Sequence, residues 1–187
     1  MKKRAFVTEY FVRDDLERLK KTITPDWSED NVKNHLKLIK PHGDSIYEIG
    51  AGIGRLLNYL KNDHKVAGCD ASEPMIKNQY PGCNISLCDG KGAIPADDAS
   101  FDFVFSIIVF QHIPNTEVVM NYIKEAYRIL KEGGEFAFQV FSHHERESEL
   151  WTFHDLDVLK GAMQDAGFEV TINEGDRWTI FRGQKCA

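Results

Sequence analysis

The chain has no long apolar run, no cysteine pair at metal or redox spacing, and no repeat or low-complexity tract. Its longest apolar stretch, Phe103 to Phe110, is eight residues and contains Ser106. A membrane-spanning helix needs about 20. The N-terminus, Met1-Lys2-Lys3-Arg4, is basic, but Thr8, Glu9 and Arg13 break up the residues after it, so no signal-peptide core forms. A soluble, cytoplasmic-type domain is expected, with no membrane partner. The four cysteines, Cys69, Cys83, Cys88 and Cys186, make no CxxC motif and no zinc-like spacing, which reads as free thiols in a reducing compartment. A basic excess is missing too: 23 Lys and Arg stand against 29 Asp and Glu, a net −6. Residues 1–40 hold ten basic and seven acidic side chains, so the remaining 147 residues carry −9. Such a body is a poor match for a phosphate backbone, and nucleic acid is disfavoured as a partner.

What is present describes an ordinary globular domain. At 187 residues, 42% hydrophobic and 28% charged, the chain can bury a core without disulfide staples. The first 40 residues read as two helices. Phe6, Tyr10, Phe11, Leu16 and Leu19 mark the first; Val32, Leu36 and Ile39 mark the second, with Ser28 as N-cap and Pro41 as its end.

From residue 45 the pattern changes to short apolar runs alternating with amphipathic helices. Strands are expected at Ser45–Ile49, Lys65–Cys69, Asn84–Cys88, Phe101–Ile107 and Glu135–Phe141. Helices are expected near Arg55–Lys61, Pro74–Asn78, Glu117–Leu130 (stopped by Gly133-Gly134) and His154–Ala166. Phe168–Ile172 and Trp178–Arg182 read as a closing hairpin. Strand–helix alternation means a mostly parallel, doubly wound α/β sheet with helices on both faces and an antiparallel member from the hairpin.

Between the first strand and its helix lies Tyr47-Glu48-Ile49-Gly50-Ala51-Gly52-Ile53-Gly54-Arg55. Glycines there let the backbone turn sharply and approach a ligand, and the helix start offers free N–H groups. The dinucleotide fingerprint GxGxxG would need glycine at 55, where Arg55 stands. The second strand ends in Gly68-Cys69-Asp70, an acid suited to ribose hydroxyls, and the third in Cys88-Asp89-Gly90, an acid suited to an adenine amino group. Glu48, Asp70 and Asp89 thus meet at the carboxyl edge of adjacent strands. An acidic crevice suits a cationic cofactor better than a pyrophosphate.

On these motifs the chain resembles the class I S-adenosylmethionine-dependent methyltransferases, from about Asp44 to Phe181. Further elements carry the likeness: Asp70-Ala71-Ser72-Glu73-Pro74-Met75, Ile94-Pro95, Ser100 through Ile113, and Tyr127 through Gly134, with Glu132 where proline is usual. The resemblance implies S-adenosylmethionine as cofactor. It also implies a seven-stranded Rossmann-like sheet of order 3-2-1-4-5-7-6 with the last strand antiparallel, and one domain made of a cap (1–41) and a core (42–187). The cofactor residues it implies are Glu48, Gly50, Ala51, Gly52, Gly54, Arg55, Asp70, Ala71, Met75, Asp89, Gly90, Ser106 and His112. It further implies that Tyr10, Phe11 and Trp27 lie in the segment that closes over the ligand in such enzymes, and Trp151 after the fifth strand could do likewise, although aromatics at helical spacing belong to the core more often than to a lid.

Methyl transfer from a sulfonium is an in-line displacement in which the cofactor supplies the leaving group, so no catalytic residue is demanded by the chemistry. A base is needed only if the nucleophile carries a proton. His112, His143 and His144 are the candidates, each with a structural alternative. His143-His144-Glu145 makes a poor metal site, because adjacent loop residues seldom aim at one ion. Asp102 reads as structural. After the fourth strand, Ser106-Ile107-Ile108-Val109 replaces the Asn/Asp-Pro-Pro-Tyr/Phe grip for an extruded base amine, which favours a small-molecule acceptor. The acceptor atom (O, N or C) stays open, as does monomer against homodimer. A silent S-adenosylmethionine-binding partner protein and an aminopropyl transferase of the same fold are the alternatives.

Overall fold

The computed structural model describes residues 28–142 and 152–186. Helix α1 spans Glu29–Ile39; the Ser28 hydroxyl accepts from Asn31 N at 3.3 Å, and Lys40 closes the helix in the left-handed region. Next in the chain are β1 (Ser45–Ile49), α2 (Arg55–Leu60), β2 (Lys65–Asp70), α3 (Glu73–Lys77), β3 (Ile85–Leu87) and β4 (Phe101–Ser106). A one-turn 3₁₀ segment (Phe110–His112) precedes α4 (Thr116–Ile129), β5 (Leu130–Phe141), α5 (Leu156–Ala166), β6 (Phe168–Glu174) and β7 (Trp178–Lys185).

The seven strands form one sheet in the order β3-β2-β1-β4-β5-β7-β6. Every pairing is parallel except those of β7, which runs antiparallel to both β5 and β6. The side-chain alternation of each strand sorts the core into two layers. Tyr47, Ile49, Val104, Phe136 and Phe138 pack against α4 and α5. Ile46, Phe103, Phe105 and Ala137 pack against α1 and α2.

Two boundary differences bear on how the elements are held. Helix α4 ends at Ile129, one residue short of the expected Leu130, but Gly133-Gly134 are not what stops it: β5 begins at once at Leu130, not at Glu135, and carries both glycines within the strand. Helix α5 begins at Leu156: the Asp155 carboxylate caps it by accepting from Asp157 N and Val158 N. His154 therefore lies before the helix. The first expected helix (Phe6 to Leu19), Trp27, His143, His144, Glu145 and Trp151 fall outside the described residues.

At the edge of the sheet away from the carboxyl ends, Asp102 ties three elements together. Its Oδ2 accepts from Asp44 N (3.0 Å), Ser45 N (2.8 Å) and Ser45 Oγ (2.7 Å), while Lys131 Nζ sits 2.8 Å from Oδ1. Arg128 likewise anchors the β3–β4 connection through Glu125, Asp98 and the carbonyls of Ile94 and Ala96.

Candidate cofactor site

The candidate residues gather at the carboxyl ends of β3, β2, β1 and β4, where open α/β sheets bind ligands. Gly50 N and Ala51 N both donate to Cys69 O, at 2.8 and 3.0 Å, folding the glycine loop across the end of β2. Gly50 (φ +75°), Gly52 (+57°) and Gly54 (+83°) are all left-handed, a conformation that a side chain resists. A Cβ on Gly50 would stand 2.4 Å from a Val109 methyl, so the loops after β1 and β4 abut. A Cβ on Gly52 would meet nothing within 4 Å. That open space, at the turn of the loop, is where the backbone can receive a ligand.

Asp70 holds this loop in place. Its Oδ2 accepts from Gly52 N and its Oδ1 from Ser72 N, both at 2.8 Å, so each oxygen keeps further acceptor capacity for a hydroxyl partner. Burial pushes the Asp70 carboxyl up, more than these N–H donors pull it down. Glu48 is 4% exposed and its Oε2 has no partner. Burial first, and the Asp70 charge second, push its carboxyl well above the ordinary value.

The third acid is differently placed. Asp89 is exposed, and its Oδ1 accepts from Lys91 N (2.8 Å) and Ala93 N (3.3 Å), which shapes the loop after β3. Gly90 (φ +67°) in that loop comes within 3.2 Å of the Ala71 methyl at its Cβ position, so the Asp70-Ala71 and Asp89-Gly90 turns face each other. Met75 lies half-buried on α3. Arg55 starts α2, half-buried, and burial lowers its guanidinium from the ordinary value.

Ser106 and His112 lie on the β4 side. The Ser106 hydroxyl is buried and donates to Ile49 O at 3.1 Å, strapping β4 to β1. His112 ends the 3₁₀ turn, half-buried. Just before it, Ile108 adopts φ +59°, a costly conformation for a β-branched residue.

Periodicity gives no sign of what fixes this strained turn. His154, 4% exposed, places Nε2 2.9 Å from Phe110 O and Nδ1 3.0 Å from Thr116 Oγ1. Those partners assign Nε2 as donor and Nδ1 as acceptor, and burial keeps the ring pKa low. Thr152 N adds a bond to Gln111 O. Among the described residues no group of three or more His, Cys, Asp or Glu could hold a metal, and no helix is long and apolar enough to cross a membrane.

This topology recurs in Haemonchus contortus phosphoethanolamine N-methyltransferase 2, solved with S-adenosyl-L-methionine. The TM-score is 0.73 at 17% identity, over 100% of this chain and 60% of that one. The fold is therefore that of the class I S-adenosylmethionine-dependent methyltransferases. Residues 47–138 match the family described as a methyltransferase domain, and the chain belongs to that family. "Probable tRNA methyltransferase 9B" of Homo sapiens is 32% identical over 129 residues, 68% of this chain. Sarcosine/dimethylglycine N-methyltransferase of Halorhodospira halochloris is 34% identical over 125 residues, 60% of this chain. The chain spans 27% and 44% of the length of these two curated relatives.

The residues present fit the cofactor of this class. An orphaned buried carboxylate oxygen on Glu48, the open cradle at Gly52 and the spare acceptor capacity of Asp70 are what a cationic, ribose-bearing ligand requires. One expectation gains no support. Nucleic acid as an unfavoured partner finds no support among relatives whose names include both a tRNA methyltransferase and an amine N-methyltransferase. Net charge is too coarse a criterion, since a transferase need only touch a few phosphates.

Proposed function

We propose that this chain binds S-adenosylmethionine across the ends of β1, β2 and β3 and methylates a small-molecule acceptor presented from the β4–β5 side. The observation that carries the reading is the Glu48–Asp70 pair at the carboxyl edge: a buried carboxyl with an unpartnered oxygen and a half-buried one, beside a loop open at Gly52. Bound there, the cofactor would supply an electrophilic methyl on a sulfonium and its own leaving group.

The chain's residues position and enclose. Asp70 accepts from the ribose hydroxyls, and Asp89 with Gly90 lines the adenine side. Glu48 and the left-handed glycine loop take the amino-acid end. Met75, Ala71 and Arg55 flank this path, and Ser106 holds β4 and β1 in register beneath the reacting atoms. His112 stands at the acceptor side on a turn braced by His154, placed to hold a proton if the acceptor carries one.

A small acceptor is supported by Ser106-Ile107-Ile108-Val109, which offers no amine-gripping tetrapeptide. The similarity to a tRNA methyltransferase favours a second reading, an RNA acceptor. Purified chain with methyl-labelled cofactor, incubated separately with a panel of small amines and carboxylic acids and with bulk tRNA, decides between them. Label in an acid-soluble product supports the first reading. Label confined to precipitated RNA overturns it in favour of the second. Transfer from the decarboxylated cofactor without methyl transfer would place the chain among aminopropyl transferases. Tight cofactor binding with no turnover on either acceptor pool would make it a silent binder.

A further inference from the structure

Two cysteines meet beneath the adenine-side loop. Cys69 is fully buried on β2 and pairs in register with Ser86 of the parallel strand β3. Cys88, two residues further along, therefore lies on the same face of the sheet, just past the end of β3. Cys88 is partly exposed, and its sulfur is 3.5 Å from the buried Tyr122 hydroxyl. The thiols are near enough for each to govern the other's ionisation. The Cys69 thiol first, then Tyr122 and the Gly90 N–H, pull Cys88 down to about 7 against the opposing effect of burial, while Cys69 is pushed up. This is the arrangement of a reactive outer thiol backed by a buried partner.

We propose that Cys88 and Cys69 form a peroxide-sensitive dithiol whose oxidation to a disulfide closes the cofactor site. The Cys88 thiolate attacks one oxygen of hydrogen peroxide, breaking the O–O bond and leaving a sulfenic acid, and the departing hydroxide takes up a proton to become water. Cys69 sulfur then attacks the Cys88 sulfur. The S–O bond breaks, and the hydroxyl leaves with the Cys69 proton as a second water. Two thiols are oxidised by two electrons and one peroxide is reduced to two waters.

The consequence for the site comes from connectivity. Cys69 O receives the Gly50 and Ala51 N–H groups, Asp70 follows Cys69 directly, and Asp89-Gly90 follows Cys88. Drawing the two sulfurs into a covalent bond moves both turns that face each other at Ala71 and Gly90. This coupling rests on the cofactor placement proposed above; the crosslink itself does not.

The test uses the full chain, with Cys186→Ser to remove the exposed thiol near the C-terminus. After hydrogen peroxide treatment, non-reducing peptide mapping should show Cys69 joined to Cys88, lighter by two hydrogens and reversed by dithiothreitol. Calorimetry with S-adenosylhomocysteine should show affinity lowered about tenfold or more by oxidation, a loss the size of one or two site hydrogen bonds. Cys88→Ser and Cys69→Ser should each abolish both changes. Oxidation that stops at Cys88 sulfinic acid, or a crosslink through Cys83, overturns the proposal. So does a Cys69–Cys88 crosslink that leaves affinity unchanged. If the reduced parent fails to bind S-adenosylhomocysteine, the cofactor reading is what fails, and the mapping still judges the dithiol.

Discussion

Glu48, buried on β1, and Asp70, half-buried at the end of β2, are carboxyls that repel one another. Burial raises both, and the Asp70 charge adds to the rise at Glu48. In the free protein this pair is a strain; beside a cationic ligand it is a binding site. On the cofactor placement proposed above, the charge that strains the free protein is what would hold the cationic ligand.

Replacing Glu48 by Gln should separate the two roles. A carboxyl whose folded pKa is raised contributes stability fully at pH below its unfolded value, near 4.5, and loses it as pH rises through the folded value. Gln does not titrate. Glu48→Gln should therefore melt at higher temperature than the parent above that pH, with the difference growing as pH rises and vanishing in acid. Cofactor affinity should fall about tenfold or more, the worth of a hydrogen bond to a charged group. Melting by calorimetry across pH and titration with S-adenosylhomocysteine check both; a variant less stable than the parent at neutral pH would refute the account.

Gly50 and Gly52 look alike in sequence yet should respond oppositely to alanine. At Gly50 the new methyl would lie 2.4 Å from Val109, so Gly50→Ala should destabilise the fold by several kcal/mol. At Gly52 the methyl has room and only the left-handed backbone resists, at about 1 kcal/mol. Gly52→Ala should thus fold well and bind cofactor poorly. Urea unfolding beside ligand titration separates the two, and a Gly52→Ala protein with parental affinity would remove the loop from the site.

Asp70 has a structural duty as well as its proposed ribose role, because its two oxygens hold Gly52 N and Ser72 N. Asp70→Ala should lower cofactor affinity by about a hundredfold, two lost hydrogen bonds plus a loosened loop. Asp70→Asn can restore one acceptor and should recover part of that loss. Equal affinity for Asp70→Ala and the parent by calorimetry would show that the ribose is held elsewhere.

How far the sequence discloses this molecule depends on the range of the interactions. Local signals work: strand–helix alternation yields the sheet, Ser28 marks a cap, and the acids near the carboxyl ends of β1, β2 and β3 are placed by those strands. Contacts between distant segments leave no local trace. His154 sits 44 residues from Phe110, whose carbonyl it binds, and helical spacing extends back to it although the helix itself starts later. The Cys69–Cys88 neighbourhood emerges only once register pairs Cys69 with Ser86. At Gly133-Gly134 the glycines suggest a helix stop, yet the break falls at Ile129 because β5 pairing with β4 already begins at Leu130.

The pH response at the opposite edge of the sheet should leave the site untouched. Burial tends to raise the Asp102 carboxyl, but Lys131 and the Ser45 hydroxyl and N–H outweigh it and pull it down to about 2. A carboxyl lowered on folding gives stability that is complete above its unfolded value, near 3.8, and is lost as pH falls through the folded value near 2. Asp102 keeps 27% of its side-chain surface, so screening limits its contribution to about 1–2 kcal/mol. Asp102→Asn should be less stable than the parent by that amount at neutral pH. The difference should shrink between about pH 4 and 2, with cofactor affinity unchanged at neutral pH. Paired urea titrations at neutral and acid pH read the effect directly. A constant gap across that range would mean that Asp102 acts through shape alone, and a fall in affinity would mean that the two edges of the sheet are coupled.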